Sequence, residues 1–218
     1  MTTAALAATA ALTLTACGGG GGSDDSATIA TPTPTATAAP ATTAPTPTSA
    51  SAPLKIDPAL ALPADLKVTF TWPTPADATQ AAALSAAADY LQAIDHAVTE
   101  QNRNDPPLRA YAADDALAYA QNFVQENVKE KLTVTGTDAY YQPVLTTVSG
   151  GGSVDVKLCE NQSKLYSKEV ATGKVHVTGA DDRNYVSYDI VMVKLPAAHA
   201  IWQAHAVTVK EQSLACKQ

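Results

Sequence analysis

The residues of this chain with the types for chemistry are few and dispersed. Asp95 and His96 adjoin in an Ala- and Leu-rich segment, Tyr140 sits in a Val/Thr/Tyr-rich run, Tyr185 and Asp189 share another, and His205 lies in a last one. A carboxylate base beside a tyrosine or a protonated acid, in a dry pocket, is what isomerase-type proton transfer needs. Asp95 follows Ile94 at the border of an apolar helical face, where it borders a pocket mouth or a solvated helix edge. His205 alternates with Gln203, Val207 and Val209, which turns it inward near a sheet end; a half-buried, satisfied histidine fits the same place. Asp189 shares its strand face with Tyr185, Ser187, Val191 and Val193, whereas Val186, Tyr188, Ile190 and Met192 read as core. The candidate pocket residues are therefore Asp95, Tyr140, Tyr185, Asp189 and His205. Metal-ligand spacing, a nucleophile elbow and a phosphate loop are all missing from the sequence, so it assigns no catalytic residue, metal or cofactor. The five glycines from Gly18 to Gly22 have neither a strand pattern before them nor a helix after them, and read as tether.

Three cysteines carry a different chemistry. Leu14-Thr15-Ala16-Cys17 ends an apolar run (Leu6 to Leu14) and precedes the glycines, the pattern of a bacterial lipoprotein signal. Cleavage before Cys17 leaves a thiol to carry diacylglycerol and acyl chains such as palmitate, so residues 1–16 are expected to be signal peptide. No basic residue precedes Lys55, and the expectation is a true start somewhat further upstream. The plainer reading makes Cys17 an ordinary thiol in a disordered leader. Cys159 and Cys216 remain, and two thiols left in an exported domain pair as a disulfide. A metal site or a reactive thiol are the alternatives, but neither cysteine lies in CxxC or beside a histidine.

The 218 residues divide by composition. Residues 17–53 are Gly, Ser, Thr, Ala and Pro with almost nothing to bury, a disordered tether reaching roughly 100 Å if fully extended as polyproline II. Such a stalk also offers Ser and Thr for O-glycosylation. Residues 54–218 have the length and apolar content of one domain. The net charge of −7, with scattered basic residues, argues against nucleic acid as partner.

Leu66, Val68, Phe70 and Trp72 alternate on one strand face, ended by Pro73 and Pro75. Asp77 or Thr79 then caps a helix from about Thr79 to Gln101, whose stripe is Leu84, Ala87, Ala88, Leu91, Ile94, Ala97 and Val98. A second helical region spans Pro107 to Lys131, kinked near Ala113 with Asp114 as a new cap and Leu117, Ala120, Val124 and Val128 buried. Strand patterns follow at Leu132–Thr137, Ala139–Val148, Val154–Glu160, Leu165–Lys168, Tyr185–Leu195 and Ile201–Leu214, with turns at Gly136, Gly150 to Gly152, Gly173 and Pro196. Helices first and strands last predict an α+β domain, N-terminal helices packed on a curved antiparallel sheet.

Val134-Thr135-Gly136-Thr137-Asp138 with Tyr140-Tyr141, Cys159-Glu160-Asn161-Gln162-Ser163-Lys164, Tyr166-Ser167-Lys168, Thr172-Gly173-Lys174-Val175-His176 and the closing Cys216 resemble a family of actinobacterial secreted proteins and lipoproteins. The resemblance covers about Leu66 to Cys216. It implies the cone-like α+β barrel of nuclear transport factor 2, ketosteroid isomerase and the polyketide cyclases, a fold that hosts enzymes and binding modules alike. The expectation is a non-catalytic domain, lipid-anchored on the extracytoplasmic face of the cell membrane of a Gram-positive actinobacterial envelope. It binds a protein or a small apolar ligand. The alternative is an isomerase or cyclase using a pocket carboxylate.

Overall fold

The computed structural model describes residues 54–148, 150–196 and 201–217. The expected signal sequence and tether, residues 1–53 with Cys17, lie outside them. The chain runs through a short 3-10 turn (Pro58–Leu60), β1 (Leu66–Thr71), α1 (Ala78–Thr99), α2 (Pro106–Tyr111), α3 (Asp114–Glu130), β2 (Leu132–Thr147), β3 (Ser153–Glu169), β4 (Val175–His176), β5 (Tyr185–Lys194) and β6 (Trp202–Lys210). The strands form one six-stranded sheet in the order β1-β2-β3-β5-β6, with β4 paired to β3. The domain is α+β, as its sequence predicts.

The sheet is mixed rather than wholly antiparallel, because β1 runs parallel to β2, from Leu66 opposite Gly136 to Thr71 opposite Tyr141. Parallel neighbours need a long crossover, and the three helices between β1 and β2 supply it. All the other ladders are antiparallel.

α1 begins where the Asp77 carboxylate accepts from the Gln80 N–H, satisfying one of the four orphan donors of the first turn. From Ala83 to Val98 it is buried nearly all round, not along a single stripe. One side lies on the sheet, where Leu84, Leu91, Ile94 and Val98 join Val186, Tyr188, Ile190 and Met192 in the core. The other side is covered by the 3-10 turn, where Gln92 donates to the Leu60 carbonyl at 2.8 Å, and by α3, where the Tyr90 hydroxyl donates to the Ala116 carbonyl at 3.1 Å. Alanines at 83, 86, 87, 93 and 97 let these layers approach. Truncating Leu91 or Ile190 to Ala would cost about 2–5 kcal/mol.

The second helical region is two helices. Ala112 is extended and bridges Ala204 of β6, and the Ala113 N–H donates to the Ala204 carbonyl at 2.9 Å. That excursion to the sheet breaks the helix. Ala113, not Asp114, occupies the cap position, and Asp114 is the first residue of α3.

The four strand segments expected between Leu132 and Lys168 are two long strands with register shifts, at Thr137/Ala139 and Tyr141/Val144. Gly136 is no turn: it lies inside β2 at φ 104°, its N–H bonded to the Asp65 carbonyl. Cys159 and Cys216 are disulfide-bonded with Cα atoms 5.4 Å apart. Cys216 lies in a 3-10 turn after β6 rather than in the final strand. Among the described residues no helix is long and apolar enough to cross a membrane.

Candidate functional site

Period-two alternation carries acids into the core. In β2 the inward positions run Val134, Asp138, Tyr140; in β3 they run Val154, Val156, Leu158, Glu160. Tyr140 and Glu160 are register partners across the two strands. From the helical layer Asp95, one turn after Leu91, comes down on the same spot. Asp95 is 5% exposed, Asp138 1% and Glu160 1%, so Asp95 is not at a solvated helix edge. The three line a cavity of about 20 Å³ with Tyr119 and Phe123 of α3, Gln162 and Tyr188. That is room for a single water-sized group.

The rings around the acids are held in a chain. Tyr140 stacks on Phe70 of β1 with centroids 5.4 Å apart, Phe70 meets Trp72 at 5.0 Å, and Tyr188 sits edge-on to Tyr140 at 6.2 Å. Gln162 donates from Nε2 to Glu160 Oε1 at 2.8 Å. Asp95 Oδ2, Asp138 Oδ1 and Glu160 Oε2 are buried without a protein partner.

Three carboxyls in one buried space cannot all ionise. Burial, then the Glu160 charge, pushes Asp95 up to about 8. Burial, then Glu160 and Asp95, raises Asp138 well above the carboxylate range. Burial also raises Glu160, but donors from Asp138, Gln162, Tyr188 and Tyr140 pull it back. Asp95, at about 8, thus holds its proton at neutral pH, and Glu160 is the one of the three whose rise the surrounding donors oppose most.

Tyr119, Phe123, Gln162 and Tyr188 also line a groove of about 520 Å³ between α3 and the inner face of the sheet. Val186 and Val209 extend its apolar wall; Glu126, Glu130, Glu211 and Arg183 stand among its charged residues. Phe123, 39% exposed, is shared between groove and cavity.

Of the five candidate residues, the structure brings together Asp95 and Tyr140. Asp189 lies on the opposite face of the sheet, joined to Lys157 beside Asp155, along a trough of about 650 Å³. Tyr185, at the start of β5, is half-buried and accepts through its carbonyl from the Ser213 N–H at 2.8 Å. His205 falls at the β6 bulge, where the register shifts between Val191 and Met192. Its Nδ1 lies 2.7 Å from Asp114 Oδ2, and its buried Nε2 has no partner, so it faces neither cavity nor groove. His96 Nδ1 lies 3.0 Å from Asp105 Oδ2 and ties α1 to the start of α2. The residues missed from the sequence are Asp138 and Glu160, with Tyr119, Gln162 and Tyr188. Their signal is an acid on the inward beat of an alternating apolar strand. Among the described residues no group of His, Cys, Asp and Glu is placed to hold a metal ion. Comparison with family models, curated proteins and solved structures finds no match.

Proposed function

We propose that this chain is a cell-envelope lipoprotein, anchored through Cys17 on the extracytoplasmic face of the membrane. Its domain is a binding module that takes a small amphipathic ligand in the groove beneath α3. The observation that carries the binding reading is the pairing of a roomy groove with a cavity too small for a substrate. About 520 Å³ lies between α3 and the sheet, walled by Tyr119, Phe123, Tyr188, Val186 and Val209. That matches the size of small-molecule sites, and the rest of the lining is polar or charged. The cone-like arrangement belongs to the same proposal, supported by three helices over one sheet face and by acids between the layers. The anchoring reading rests on Leu14-Thr15-Ala16-Cys17 and the tether composition.

A second reading, an isomerase- or cyclase-type enzyme, is favoured by one observation: Asp95 and Glu160, with raised pKa values, lie beside Tyr140 and Tyr188. In it one carboxylate would take a proton and a tyrosine or protonated acid would hold the resulting oxyanion. A cavity of about 20 Å³ weighs against it, since a reacting carbon would need the acids opened to the groove.

Two measurements test the proposal. Cys17→Ala, expressed from the native start, should leave the precursor uncleaved or release the domain from membranes; a correctly cleaved variant still retained there overturns the anchor. For the groove, Phe123→Trp places a fluorophore on its wall. Titration with 1-pentanol and longer alcohols should change its emission saturably, and no saturable response overturns the binding site.

A further inference from the structure

Three carboxyl oxygens without protein partners belong to residues that line one water-sized space, each on a different element: Asp95 Oδ2 on α1, Asp138 Oδ1 on β2 and Glu160 Oε2 on β3. A buried acceptor without a donor costs about 1–3 kcal/mol, and a donor-only cation placed among these carboxyls relieves that cost. A primary ammonium carries three N–H donors and no acceptor, and its head is the size of a water molecule. The walls around it are Tyr140, Tyr188, Tyr119 and Phe123, and aromatic faces attract a cation. Among the described residues no Lys, Arg or His lines the cavity to compete. A guanidinium or a quaternary ammonium is too large for about 20 Å³, and the acids are not spaced for a metal ion.

We propose that the acid cluster is the receptor for a primary ammonium group, the head of a small amphipathic amine whose body lies in the groove. This rests on the groove being the ligand site. Tyr119, Phe123, Gln162 and Tyr188 line both spaces, and on this proposal the closed wall they share opens at Phe123 to admit a straight alkyl chain. The groove favours a cation too, with Glu126, Glu130 and Glu211 against Arg183.

Without ligand, Asp95 is a neutral acid at neutral pH. The amine arrives as R–NH3+ and keeps its three protons, and a carboxyl proton it displaces leaves to solvent. The titratable groups facing the head are Asp95 from α1, Tyr119 from α3, Asp138 and Tyr140 from β2, Glu160 from β3 and Tyr188 from β5. The tyrosines have raised pKa values and stay protonated, so the released proton comes from a carboxyl. Binding therefore tightens as pH rises from ~6 to ~8.

Calorimetric titration of the full chain with n-pentylammonium, in two buffers of different ionisation heat, tests this against its neutral isostere 1-pentanol. The amine should bind about tenfold or more tighter than the alcohol at pH 8 and release protons, whereas the alcohol releases none. Asp95→Asn and Glu160→Gln should each weaken the amine by about tenfold or more and leave the alcohol unchanged. Should either variant fail to fold, the proton release and pH dependence of the wild type carry the test alone. 1,5-Diaminopentane separates two sources of the ammonium. Tighter binding than the monoamine points to a diamine whose second charge meets the glutamates of the groove, and equal binding points to a monoamine. Equal affinity for amine and alcohol with no proton release overturns the ammonium site and leaves the groove standing. If neither probe binds, both readings fall.

Discussion

At the scale of the residue, burial of carboxyls sets how stability responds to pH. Asp95 is pushed up to about 8 by burial and then by Glu160, and Asp89 to about 6 by burial, partly offset by the Asp57 N–H that it accepts. Unfolded, each titrates near ~3.9. Between the unfolded and folded values the native state binds more protons, so stability falls as pH rises from ~4 through ~8. Asp57 and Asp65 act oppositely at lower pH. Tyr111 holds the first below its ordinary value, and Lys168 then Thr135 hold the second; their contribution is present above ~4 and lost as pH falls through the lowered folded values. The urea midpoint should therefore be higher at pH 5 than at pH 8. Asp95→Asn should raise it at pH 8 and flatten the decline, since an amide takes up no proton on folding, and each tenfold difference in proton affinity between folded and unfolded chain is worth about 1.4 kcal/mol. A wild-type midpoint unchanged between pH 5 and 8 would contradict the burial of these acids as protonated groups. The sequence reaches Asp95 and Tyr140 because each borders an apolar pattern. It hides Asp138 and Glu160 because an acid at a strand end reads as solvated, and both lie where the local strand patterns stop. The continuity of β2 and β3 through those points is a tertiary fact, imposed by neighbours on both sides.

At the scale of the element, local pattern reads α1, β1, β5 and the break after Tyr111 to within a few residues. What it cannot read is pairing. β1 alternates as any half-buried strand does, and its parallel partnership with β2 follows from where the helices return the chain. Gly136 shows the same limit: a glycine among β-branched residues signals a turn, yet here it marks close backbone approach inside a strand. A Cβ on Gly136 would lie 2.1 Å from the Lys164 carbonyl oxygen, and the φ of 104° is one that L residues rarely adopt. Neither Lys164 nor Asp65, which hold the backbone on either side, can yield without disturbing the two ladders. Gly136→Ala should therefore cost about 3 kcal/mol in urea unfolding. Because Asp138 follows at the register shift, the variant should also weaken whatever binds at the acid cluster. A loss below about 0.5 kcal/mol, the range of neutral surface changes, would show that the strand bends there at no cost.

At the scale of the whole molecule, the C-terminal part of the sheet is closed by a covalent bond. Cys159 and Cys216 are separated by 57 positions that contain β4, β5 and β6. The carbonyl of Cys216 also accepts from the Tyr141 hydroxyl, the Ser213 N–H reaches Tyr185, and Lys217 pairs with Asp182 at 2.7 Å. The terminus is therefore tied to β2, β3, β5 and the turn before β5. Constraining a loop of this length in the unfolded chain stabilises the fold by about 4 kcal/mol in the entropy model. Reduced wild type, or a Cys159→Ser/Cys216→Ser double variant, should unfold at lower urea by that order. Equal midpoints for oxidised and reduced protein would mean that the noncovalent ties already hold the terminus. Cys159 and Glu160 are neighbours in β3 and project to opposite faces, so the bond stands on the outer trough and the acids stand on the inner cavity. Reduction should therefore lower stability while leaving the pH dependence from Asp95 and the groove titrations intact under conditions where the domain is still folded. A reduced, folded protein that had lost both would show the staple holding the two sheet faces in register, a larger role than stabilising a terminus.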